Sequence, residues 1–176
     1  MTRCQHDERS EWSPKIGSPC TTILAEFPEF APSIWLVETA GEIGPLLSEL
    51  TEVFARVYLA NANDFATTIA FIHGVTSLAA LGSMIPHLSN STVRTALQYA
   101  WQSGCALYAC YRSGTGMAEE IEPCKQDEDR LVERAIVNGD QHVIKFTEAC
   151  LRRHSLGPSP VYFAAVDHVL GMIPRR

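Results

Sequence analysis

Apolar residues recur at steps of three and four along most of the chain. Leu46, Leu47, Leu50, Val53, Phe54, Val57 and Tyr58 mark one stripe over about 45–59, an amphipathic helix whose first turn suits Pro45. Asn63 and Asp64 offer caps for a second helix through about Leu81, ended between Gly82 and Pro86. Asn90 or Ser91 can cap a third, running to about Arg112 and stopped by Gly114 and Gly116. Residues 119–129 concentrate carboxylates in a solvated connector that leads into a fourth helix, closed by Gly139. Asp140 caps a fifth helix to about His154, the run Gly157-Pro158-Ser159-Pro160 breaks it, and Val161 to Met172 forms the last. No stretch alternates with period two between turn signals, so the pattern predicts an all-α fold of about six helices over 34–176. Residues 1–33 hold Pro14, Pro19, Pro28 and Pro32 without periodicity, which predicts an extended or disordered arm.

Composition narrows this picture. At 176 residues and 46% apolar the chain suffices for one core, and its net charge of −6 opposes electrostatically driven nucleic-acid binding. The six cysteines contain no C-x2-C pair, and the charged N-terminus has no apolar run, which together predict a reducing, cytoplasmic setting without a secretory leader. No charge falls between Phe65 and Val93, a run long enough for a bilayer. His73, Ser77, Ser83, Pro86 and Asn90 interrupt it, and a buried core helix is expected instead of a membrane span.

The common catalytic signatures are absent: no G-x-S-x-G, no P-loop, no G-x-G-x-x-G after a strand and no H-E-x-x-H. Nothing marks a catalytic nucleophile or base. Of the six histidines, His6 lies in the arm, and His87 and His154 fall at helix ends where surface positions are expected. His73 is embedded in the most apolar helix, where a buried imidazole must be satisfied by a carbonyl, by Thr76 or by a metal. His142 and Lys145, spaced i, i+3, share a helix face that Glu148 and Arg152 extend, the pattern of a solvent-facing stripe. Tyr99, Trp101 and Tyr108 offer flat apolar surface or ordinary core packing, and Asp167-His168 reads as a surface pair.

Taken together, the segments Phe71-Ile-His-Gly-Val-Thr, Tyr99-Ala-Trp-Gln-Ser-Gly-Cys-Ala-Leu-Tyr-Ala, Gly139-Asp-Gln-His-Val-Ile-Lys-Phe-Thr-Glu-Ala-Cys and Pro158-Ser-Pro-Val-Tyr-Phe-Ala-Ala-Val resemble the carboxyl-terminal half of the questin oxidase-like family over about residues 40–172. The resemblance implies a helical, flavin-independent oxidoreductase that uses oxygen and NADPH on an aromatic polyketide such as an anthraquinone. It also implies non-haem Fe(II) held by His73, His142 and a carboxylated Lys145, two imidazoles and one anionic oxygen. The family's amino-terminal half, with a paired-histidine segment, has no counterpart in 1–33. That departure implies either a shortened, non-catalytic binding protein or a homodimer or partner chain that covers the missing half.

Overall fold

The computed structural model describes residues 30–112 and 116–175, together with Leu24 and Pro28. Among them are six α-helices, two short 3-10 segments and no strand, so the chain is all-α. Helix α1 (Ile43–Asn61) buries Leu47, Leu50, Phe54 and Tyr58, the successive turns of the predicted stripe. Helix α2 (Phe65–Met84) opens on a capping box: the Thr67 N–H donates to Asp64 Oδ1 at 2.7 Å and the Asp64 N–H to Thr67 Oγ1 at 3.1 Å. It then runs past Gly82 to Met84 and into a 3-10 turn at Ile85–His87. Gly82 is a packing residue rather than a stop. A methyl there would press on Leu47 Cδ2 at 3.2 Å, and Pro86, which cannot donate to a helix, ends the run.

Helix α3 (Asn90–Tyr111) is capped by Ser89, one residue before the predicted caps, whose Oγ accepts from the Thr92 N–H at 3.2 Å. Helix α4 (Glu128–Asn138) begins with Glu128 and Asp129 in its first turn behind the cap Asp127, and ends at Gly139 with φ 77°. Helices α5 (Gln141–Leu156) and α6 (Pro160–Met172) complete the bundle. The arm expected to reach residue 33 gives way earlier, because Ala31–Leu36 forms a 3-10 turn held on α3. Trp101 Nε1 donates to the Ser33 carbonyl at 3.0 Å and Gln102 Nε2 to that of Ala31 at 3.1 Å. The expectation for residues 1–29 falls, Leu24 and Pro28 aside, outside the described residues.

Helix α2 lies at the centre, packed on α1, α3 and α5, while α6 closes the bundle over α1, α4 and α5. Close approach of α1, α2 and α3 depends on two glycines that flank Phe54. A methyl on Gly74 would sit 3.3 Å from the Phe54 ring, and one on Gly104 would fall inside contact distance of the ring tip. Trp101 stacks on the same phenyl at 6.4 Å and 11°. On the α5 side, Phe146 packs on Tyr58 with ring centroids 4.9 Å apart. Cys105, Cys124 and Cys150 are free thiols and Cys110 is disulfide-bonded, a pairing that the cysteine spacing does not announce.

Candidate functional site

His73 is exposed, which overturns its expected burial in the core. The cause is helical phase. Phe71, Ile72, Gly74 and Val75 turn inward, and His73 is left on the outer side of α2 with Ser77 and Ala80. Its Nδ1–H donates back to the Ile69 carbonyl at 2.5 Å, and Thr76 is not its partner, since the Thr76 hydroxyl donates to the Ile72 carbonyl. A carbonyl can only accept, so the Nε2 lone pair of His73 points away from the backbone unused.

His142 stands in the first turn of α5 and is half-buried. The helix cap Asp140, almost fully buried, accepts the His142 backbone N–H at 2.8 Å and its Nδ1–H at 3.0 Å. One carboxylate therefore starts the helix and fixes the ring. Metal-binding histidines commonly donate their second nitrogen to a carboxylate or carbonyl, which orients the ring and raises its basicity. Both imidazoles here have that arrangement.

The two rings, 69 residues apart in the chain, face each other edge to face, with centroids 6.3 Å apart and planes at 64°. Two imidazoles on one tetrahedral first-row ion, at about 2.0–2.1 Å per bond, place their centroids roughly 5 Å apart, so these rings would have to close by about 1 Å to share one. Helices α2 and α5 run in the same direction here. His73 meets His142 at one level, and further along Arg152 donates to Ser83 Oγ at 2.5 Å and to the Ala79 carbonyl at 3.2 Å.

Lys145 lies between those two levels, on the stripe that joins His142 to Arg152, and it is exposed without a hydrogen-bond or ionic partner among the described residues. Carboxylation of a lysine asks for a desolvated amine. This chain alone does not supply that condition. Nor do the described residues contain a group of three or more His, Cys, Asp or Glu that could hold an ion. Of the three expected ligands, the structure brings together only the two imidazoles.

A second polar cluster escaped the sequence reading. His168, expected at the surface, is half-buried, and its Nδ1 shares a hydrogen bond with the buried Tyr58 hydroxyl at 2.9 Å. Burial raises the Tyr58 phenol well above its usual range, which keeps its proton on the hydroxyl. Beside it Asp167 accepts from Gln126 Nε2 at 2.9 Å and pairs with Arg134. These groups border a cavity of about 560 Å³ roofed by the 118–126 segment, with Leu59, Ile121 and Ala164 on its apolar side. The only signal in the sequence was Tyr58 at a core position, whose hydroxyl needed a partner.

Desolvation lowers the His168 pKa below 6.5, opposed in part by Asp167. The unfolded chain therefore binds the proton more readily. The stabilisation from neutral His168 is complete above about pH 6.5 and is lost as acidification passes through the lower folded value. His168→Gln, which keeps a hydrogen-bonding group without a titration, is expected to flatten the fall of Tm between pH 6.5 and 5. An unchanged slope would show that other groups govern that window.

The aromatic residues of α3 do not form one surface. Tyr99 is exposed, Trp101 is half-buried between Phe54 and Ser33, and Tyr108 accepts from the Gly116 N–H at 2.8 Å through its hydroxyl. Trp101 also lines a groove of about 770 Å³ with Val37, Leu46, Leu50, Val53 and Met117. Neither this groove nor the His168 cavity is lined by His73 or His142. His154, expected at the surface, is half-buried and bonds through Nδ1 across the turn to Ser159; His87 is exposed as expected. His6 lies outside the described residues.

No protein-family model, no curated protein and no solved structure matches the chain.

Proposed function

We propose that the chain is a metal-assisted oxidoreductase of the questin oxidase-like type, which uses oxygen to oxidise an aromatic polyketide such as an anthraquinone. The observation that carries this reading is the meeting of His73 and His142 across α2 and α5, each with Nδ1 engaged and Nε2 free. Two imidazoles each held through Nδ1 are the beginning of a first-row metal site. His73 and His142 would hold Fe(II), which would supply a one-electron centre for oxygen activation, and NADPH is the reductant class that the resemblance implies. The chain's own part is positional. Ile69 and Asp140 hold the tautomers, and the cap at Asp140 fixes the His142 ring relative to the start of α5.

A second reading is a non-catalytic helical module that binds small aromatics or a partner protein. The exposure of Lys145 favours it, together with the apolar groove at Trp101, which is separate from the histidine pair in its lining. Anaerobic loading with Fe(II), followed by desalting and metal analysis, separates the two. The oxidoreductase reading expects iron to be retained by the native chain and lost by at least tenfold in both His73→Ala and His142→Ala. With NADPH supplied as the two-electron reductant, the loaded protein is expected to place ¹⁸O from ¹⁸O₂ into an anthraquinone, the second oxygen atom leaving as water. Equal trace iron in all three proteins would leave the binding module as the better account.

A further inference from the structure

Resting on the metal-binding reading of His73 and His142, we propose that the ion sits between two copies of this chain. The copies would meet along the α2–α5 seam about a two-fold axis perpendicular to it, and each would supply one His73–His142 pair.

The seam has the chemistry of an unfinished interface. One copy offers two imidazole nitrogens, while a first-row ion such as Zn²⁺ takes four donors. No third ligand stands with the pair among the described residues. A two-fold axis through the ion doubles the pair to four nitrogens without any new residue type.

Helix α2 itself points the same way. It carries no charged side chain from Phe65 to Met84, and only 44% of its apolar span is buried. Phe65 and Met84, at its two ends, are 55% and 51% exposed, and His73, Ser77 and Ala80 lie exposed between them. Between those ends the outward side of α2 carries only small or uncharged groups, which a second helix can approach closely. His73 is the ninth of its twenty residues, close to the middle. An axis at that level lays the whole of α2 antiparallel on its mate.

The area available decides how such a dimer is held. Twenty helical residues span about 30 Å, and two adjacent helices about 20 Å, so each copy offers roughly 600 Å². A stable interface buries about 800 Å² per partner. The face therefore falls short alone, the more so because α5 contributes the charged Lys145 and Glu148, and association depends on the bridging ion. Closing the seam would also cover Lys145, on the same stripe of α5.

The test is the solution mass and metal content of the full chain, with Zn²⁺ as a redox-inert probe or with EDTA. The expected result is a doubling of mass on zinc addition, one zinc per two chains, and reversal by EDTA. His73→Ala and His142→Ala are expected to stay monomeric with zinc. Ala80→Arg, on the exposed face and outside the ligand pair, is expected to weaken zinc-dependent dimerisation at least tenfold, with zinc affinity falling alongside it because the ion is shared. One zinc per monomeric chain would overturn the dimer and leave the metal reading standing, whereas absence of zinc binding would overturn both. A dimer that persists in EDTA, or metal-free capture by phosphatidylcholine vesicles with no change of mass on zinc addition, would also overturn the bridge.

Discussion

Asp140→Ala is expected to weaken metal retention at the His73–His142 pair by about 10–100-fold, the usual cost of losing a carboxylate that orients a ligating histidine. The same change removes the cap of α5, at about 0.5–2 kcal/mol of stability. The two effects arise at different donors, because one carboxylate accepts both the His142 backbone N–H and its ring N–H. Asp140→Asn separates them. An asparagine caps a helix about as well as an aspartate, so stability is expected to hold within a few tenths of a kcal/mol. The ring then loses its anionic partner, and metal affinity is expected to fall to a value between native and Asp140→Ala. Competition with a chromogenic chelator gives the affinity, and urea unfolding gives the stability. Native affinity in both variants would mean that Asp140 serves only the helix.

Phe146→Ala is expected to lower the unfolding free energy by about 3–5 kcal/mol, as a cavity forms where a fully buried ring was removed. The site matters because α5 is anchored there. Phe146 lies one turn beyond His142 and packs on the Tyr58 ring of α1, so its loss frees the helix that carries one of the two imidazoles. Phe146→Leu, which keeps most of the volume, is expected to cost less than about 1.5 kcal/mol. Urea midpoints with an unchanged m-value are the measurement. A loss below 1 kcal/mol for the alanine variant would show that the α1–α5 contact collapses around the gap.

The helical stripes were legible because period and caps act locally. Asp64 with Thr67, Asp127, Gly139 and Asp140 each act within one turn of chain, and each stands at a helix end. The second helix ends at Met84, within the expected stretch from Gly82 to Pro86, but the part Gly82 plays was hidden for a physical reason. A glycine within a helix reads as a stop, but this one permits Leu47 to approach α2, and only the partner helix reveals that. Gly104 makes the same point against Phe54. The disagreement over His73 has a similar origin. A helix apolar on every side carries no periodic signal to say which face is buried, so its phase was invisible until α1, α3 and α5 were in place.

By itself, the sequence determined the all-α class, most of the six helices and their caps, and the placing of His142 and Lys145 on one helical stripe. These follow from hydrogen bonds and side-chain contacts within a few residues. Only the tertiary structure decided that His142 faces His73, that Lys145 stays in water, and that Tyr58 reaches across the bundle to His168. Distances between separate helices depend on how their side chains interlock, and no local pattern encodes that.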